Sequence, residues 1–295
     1  MAPPTKDRTV PPRCLLTRTL VASAAAALVA APGSDAAFAG GRLDARYTVT
    51  LGGVSFGKGA WLVDIGEDRF TSAVSGATAG VMRLIASGKG SSAARGSVSN
   101  SGQLNPVTYS SSIATNKKYD EVRMVLQAGT VKDYIAEPPN TPNPDRIPIT
   151  ESHRRGVLDP MTASIVPVPG NGSTFVPQAC DRNISIFDGR MRYDLRLAYK
   201  RLDKVKSDKG YQGTVVVCTV HFQPIAGHVP DRTVIKYLTE LRDIELWLAP
   251  IAGTRLMAPY RVSLSTPLGQ GVVQATQFVS LPQSPDPVAS SRKAK

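Results

Sequence analysis

Polar and apolar positions alternate with a period of two along most of the chain. "ARYTVTL" (45–51) puts Tyr47, Val49 and Leu51 on one face, and Gly52-Gly53 leads straight into "VSFGKGAWLVDI" (54–65). Alternating runs joined by short glycine-rich turns predict antiparallel hairpins. The same reading predicts strands in "RFTSAVSG" from Arg69, over 105–113, 121–129 and 131–137, then over 183–187, 190–200, 214–222, 243–251, 258–265 and 271–279. Three short segments have helical spacing. They are 78–86 (Val81, Leu84, Ile85), "MTASIV" opened by an Asp159-Pro160 cap, and 231–241 (Val234, Leu238, Leu241). Helices this few cannot link parallel strands, so the expected fold is all-β: a curled antiparallel sheet or unclosed barrel of meandering strands with a few short helices.

Two strands depart from simple alternation. "TVVVCTVHF" (214–222) and "GAWLVDI" (59–65) are apolar on both faces, so each should be covered twice, by a helix, a curled sheet or a ligand. In "CDRNISIFDGRMRYDLRL" (180–197), Asp188-Gly189 between two strand runs predicts a type I′ hairpin. On its second strand Met191, Tyr193, Leu195, Leu197 and Tyr199 face one way, as a core or apolar ligand face. Arg190, Arg192, Asp194, Arg196 and Lys200 face the other. "EPPNTPNPDRIP" (137–148) reads as a proline-rich surface loop inside one β-rich domain, 40–283. "VPVPGNGSTFVP" (166–177) reads as a second loop, and 284–295 as a flexible basic tail.

The N-terminus changes the picture. Lys6, Arg8, Arg13 and Arg18 precede the apolar run 19–32 and the small-residue motif Ala37-Phe38-Ala39, the order of a cleaved secretory signal peptide, 1–39. The run is shorter than the roughly 20 residues that span a bilayer. A soluble, periplasmic chain is therefore expected. Loss of the leader lowers the formal charge from +12 to +10 and removes Cys14, leaving Cys180 and Cys218. Export makes nucleic acid an unsuitable partner and directs a basic surface to lipid headgroups, acidic glycans or acidic proteins, with the excess charge serving solubility alone as the alternative. An even cysteine pair in an oxidising compartment reads as a disulfide, with two buried thiols or a metal site as the alternatives. In a regular hairpin the two cysteines would lie two strands apart, about 9.6 Å, beyond the roughly 7 Å a bridge tolerates. Residues 177–182 must then leave the ladder and cross a sheet face.

Catalytic signatures are sparse. His153, His221 and His228 read as solvated strand-end and loop groups, and no G-x-S-x-G elbow occurs. "SGKGSS" (87–92) resembles a phosphate loop, but Gly90 stands where a hydroxyl residue should follow the lysine. Arg154 and Arg155 in "SHRRG", with Arg190 and Arg192, are the candidate contacts for an anionic group, a solvated charge cluster being the alternative for the Arg154-Arg155 pair. The expectation is a non-enzymatic protein without metal or cofactor.

"Y-x-V-x-L-x-G", "GVLDPMTA", "FDGRMRYDL" and the Cys218-centred strand, in this order, resemble the exported bacterial proteins, chiefly alphaproteobacterial, grouped as domain of unknown function family 3108. The resemblance covers roughly 41–280. It implies a curled sheet similar to the unclosed barrels of periplasmic lipid and lipoprotein carriers, and supplies no reaction. The expected function is binding of a lipid, lipoprotein or other apolar ligand on the curved sheet, with rim arginines on an acidic head. A filled-core envelope protein that binds peptidoglycan or a partner protein is the alternative.

Overall fold

The computed structural model describes residues 40–80 and 87–283. Seven strands run first: β1 (Gly40–Leu51), β2 (Val54–Ile65), β3 (Arg69–Thr78), β4 (Gly88–Val98), β5 (Leu104–Thr115), β6 (Tyr119–Gln127) and β7 (Thr130–Glu137). After α1 (Pro160–Ala163) come β8 (Val166–Pro167), β9 (Arg182–Phe187), β10 (Arg192–Lys206), β11 (Lys209–Gly210) and β12 (Gln212–Ala226). Then α2 (Thr233–Glu240) precedes β13 (Glu245–Pro250), β14 (Leu256–Thr266) and β15 (Gly269–Gln283). All belong to one sheet in the order β7-β6-β5-β4-β3-β2-β1-β15-β14-β13-β12-β10-β9, with β8 on β14 and β11 on β15. Two antiparallel meanders are thus zipped along β1 and β15, from Gly40 opposite Gln283 to Leu51 opposite Gly271. The edges β7 and β9 do not pair, so the sheet is not closed into a barrel. The all-β expectation holds.

Curling brings the two meanders' inner faces together. Leu43, Val63, Ile65, Phe70 and Met124 of the first share one buried cluster with Val215, Val217, Tyr260 and Phe278 of the second. Phe278, fully buried, has its ring 5.9 Å from Tyr211 and 5.7 Å from Tyr260. The interior is packed with side chains, as burial of apolar area requires.

β12 is covered on both faces, as its sequence demands. Val215 and Val217 face the interior, while Val216, Cys218 and Val220 face outward and pack with Leu248, Met257 and Val168. The outer cover is the chain from Val166 to Cys180. It is anchored by the β8–β14 pairing, by Val168 N–H donating to the Arg255 carbonyl (2.8 Å), and by the Cys180–Cys218 disulfide. Residues 177–179 form a 3-10 turn off the ladder, which brings the two Cα atoms to 5.5 Å. β2 departs from the expectation. Leu62 is 48 % exposed because its outward neighbours, Ala60 and Asp64, offer little apolar area to cover.

Three local expectations change. Gly189 alone takes positive φ at the β9–β10 turn, and Arg192 pairs with Phe187, so the loop has four residues instead of a type I′ pair. The Asp188 carboxylate holds it by accepting from the amides of Arg190 (2.8 Å) and Met191 (2.7 Å). A Cβ on Gly189 would lie 2.3 Å from Val122 Cγ1 on β6, so glycine is required by contact as well as by backbone. α2 buries Ile235, whereas Val234, expected on the buried face, is 57 % exposed. The helix expected over 78–86 begins within β3, and 81–86 lie outside the described residues, as do the expected signal peptide, 1–39, and the expected flexible tail, 284–295.

Candidate functional site

The seam between the free edges is where the expected motifs converge. Residues 155–158, inside "RGVLDP", touch both edges. Arg155 bridges Thr130, and Val157 N–H donates to the Gly129 carbonyl (2.9 Å) on the β7 side. Leu158 bridges Ile186, its N–H donating to Ser185 (2.9 Å) while its carbonyl accepts from Phe187 (3.0 Å) on the β9 side. Asp159 then caps α1. It accepts from the amides of Met161 and Thr162 (both 2.9 Å) and from the Thr162 hydroxyl (2.6 Å). Fully buried, its carboxyl is pushed up by desolvation, which those donors oppose. "LDPMTA" therefore fastens the seam, and α1 plugs it with Met161, Thr162 and Ala163.

The candidate arginines do not act as one group. Arg190 reaches across the seam to Asp120 (2.9 Å), Asn140 Oδ1 (3.1 Å) and the Pro138 carbonyl (3.0 Å). Arg192 pairs with Asp194 on its own strand and shares the side of Phe187, which is buried in the inner core. Arg154 lies over the Tyr134 ring (5.8 Å), and Arg155 pairs with Glu151 (3.1 Å) at the surface. Of the expected apolar face only Leu197 is core. Leu197 is buried in the outer cluster, Leu195 packs against it and Tyr193 meets the Phe222 ring at 5.5 Å. A register shift at Lys200 leaves Tyr199 41 % exposed, and Met191 sits in the hairpin loop. This face is therefore not an open concave ligand surface, because the Val166–Cys180 segment covers its centre.

Two open clefts flank the seam. One, of about 680 Å³, is lined by Leu104, Pro106, Leu158, Ile165, Ile184 and Arg182 among others. Arg182 donates through one terminal nitrogen to the Pro167 carbonyl (2.7 Å), while its buried Nε has no hydrogen-bond partner. Desolvation lowers the pKa of its guanidinium.

The other cleft, about 710 Å³, lies between the β5–β6 turn, the 138–146 loop, the β9–β10 hairpin tip and the start of α2. His228, read from sequence as solvated, lines it and is only 9 % exposed; burial lowers its pKa, with the Ala226 carbonyl opposing. Nothing in "GHVPDRTV" signals that burial. It arises because the 138–149 loop is zipped to this end, Ile147 N–H donating to the His228 carbonyl (2.9 Å) and Gly227 N–H to the Ile147 carbonyl (2.8 Å). His153 instead hydrogen-bonds within its own turn, Nδ1 accepting from Thr150 N–H at 3.1 Å. Among the described residues no three His, Cys, Asp or Glu side chains gather as metal ligands, and no helix is long and apolar enough to cross a membrane.

The family model described as "Protein of unknown function (DUF3108)" matches residues 46–276. Among solved structures the chain is similar to a beta-barrel-like protein of domain of unknown function DUF1849 from Brucella abortus, at 6 % identity and TM-score 0.43, covering 83 % of this chain and 99 % of that one. No curated protein matches the chain.

Proposed function

The chain belongs to the DUF3108 family of proteins of unknown function, and we propose that it is an exported, non-enzymatic protein of the bacterial envelope that holds a lipid or the acyl part of a lipoprotein. The ligand sits at the rim of the sheet, because the interior is occupied by the protein's own side chains. The observation that carries this reading is Arg182. Its buried, unpartnered Nε stands at a cleft of about 680 Å³ with a mixed lining, whose apolar part includes Leu104, Leu158, Ile165 and Ile184, so one charge-assisted donor is left for an acidic head. The acyl chain would gain about 25 cal/mol per Å² buried against Leu104, Leu158 and Ile184.

Native mass spectrometry of periplasmically expressed protein is the test. A co-purifying lipid or fatty acid is expected, and Arg182→Gln should lose it. Absence of any lipid, together with no thermal stabilisation by added fatty acids, removes this reading. The filled core would then favour an envelope interaction protein that binds peptidoglycan or another protein.

A further inference from the structure

The cleft at the opposite end of the seam differs in chemistry from the Arg182 cleft. Five cations line it, Lys117, Lys118, Arg146, Arg190 and Arg232, against one carboxylate, Asp120. Asp120 is already engaged by Arg190 at 2.9 Å. The other four cations have no carboxylate partner among the described residues. Such an excess raises the local concentration of anions before any contact forms.

Two further observations point to a ligand. First, α2 starts beside the cleft, which Arg232 and Val234 line, without a side-chain cap; the Arg232 carbonyl takes the Ile235 amide (2.9 Å), so only the amides of Thr233 and Val234 are left without a partner among the described residues. Second, two buried nitrogens at the cleft lack hydrogen-bond partners, Arg146 Nε and Nδ1 of His228, whose residue is 9 % exposed. Arg146 is fixed by donation from its Nη1 to the Gly227 carbonyl (2.6 Å), which keeps its guanidinium at the cleft without spending Nε. The Arg146 Nε–H is a donor in every state, and a buried donor left unpaired costs free energy that an acceptor would recover.

We propose that this cleft is a binding site for a phosphate group. A dianionic phosphate offers enough oxygens for a helix amide, the Arg146 Nε and the lysines at once, whereas a single carboxylate would leave most of these cations unmatched. Met191, Val229 and Ile235 beside it suit a phosphate ester whose remainder is apolar. The site is separate from the Arg182 cleft and independent of it.

Titration calorimetry on the full mature chain with pyrophosphate, and flotation with phosphatidylglycerol against phosphatidylcholine vesicles, test the proposal at physiological salt. Saturable pyrophosphate binding identifies a free phosphate ligand. Binding confined to phosphatidylglycerol vesicles identifies a lipid headgroup. Either should weaken at least about tenfold in Arg146→Gln and in the double variant Lys117→Ala, Lys118→Ala. The two lysines are exposed on a turn, so that variant should melt as the wild type does. Binding of neither probe, or binding unchanged in the lysine variant, overturns the proposal.

Discussion

The first meander, β1 to β7, is coated on one face, whereas the centre of the second is coated on both. Across the outer face of the first runs a cross-strand row, Leu62–Ala73–Ala93–Ser110–Arg123–Ile135, every member of it exposed. At matching depth in the second, Val216 stands opposite Leu248 and Cys218 opposite Leu246, beneath the Val166–Cys180 segment. The difference follows from side-chain volume. Alanine and serine leave little apolar area to hide, so one core suffices, while a strand reading Val-Val-Val-Cys needs a second cover. Ordering that cover costs chain entropy, and the disulfide offsets it by restricting the unfolded state.

The largest expected effect comes from removing the brace. Reduction, or Cys180→Ser with Cys218→Ser, should cost about 4 kcal/mol by loop entropy for a separation of 38 residues. Urea denaturation with and without reductant measures it, and hydrogen exchange should locate the loosening in 166–180 while β2–β6 stay protected. Uniform loss of protection would erase the distinction between the two meanders.

A matched pair of substitutions sharpens it. Leu248→Ala, at a fully buried outer-face position, should cost roughly 3 kcal/mol. Leu62→Ala, on the outer face of the first meander, should stay within about 0.5 kcal/mol. Comparable costs in chemical denaturation would mean that Leu62 is covered in solution.

The smallest effect is electrostatic. Hydrogen bonds from Arg201, with help from Lys200 and Trp247, outweigh desolvation and hold the Glu245 carboxyl at about 2. A depressed acid stabilises the fold above its unfolded value of 4.5 and loses that contribution as pH falls toward about 2. Glu245→Gln should therefore flatten the acid limb of a stability–pH curve in that window. The change should be modest, because the Arg201 and Lys200 side chains are 37 % and 44 % exposed and screened by water. Asp159 works in the opposite sense, since burial raises its carboxyl and its effect on stability turns unfavourable as pH rises. An unchanged acid limb would mean that the Glu245 cluster adds nothing to the second meander.

Much of the fold is legible in period-two runs. The turn at Gly52-Gly53 forms where expected, both glycines at positive φ. β4 is the longest exception, beside the two-residue strands β8, inside a stretch that reads as a loop, and β11. "GKGSSAARGSV" has neither β-branched bulk nor clear alternation until its final valine, and ladders from β3 and β5 supply what its propensity lacks. The site is less legible. The hairpin marks Arg190, whereas nothing in the local pattern singles out Arg146, Arg182 or His228. Their role comes from neighbours about 80 residues away in one case, Arg146 to Gly227, and from a loop folding back in another.

The sequence by itself determined that strands form, which faces must be hidden, that β12 requires two covers, and that a cysteine bridge demands a departure from the ladder. Those outcomes depend on local side-chain volume, polarity and backbone preference. Tertiary structure alone decided that β1 and β15 zip the meanders together, that the interior fills, and that unpaired cations gather at one end of the seam. These depend on which distant surfaces meet when a twisted sheet curls, and the one-dimensional pattern does not encode that meeting.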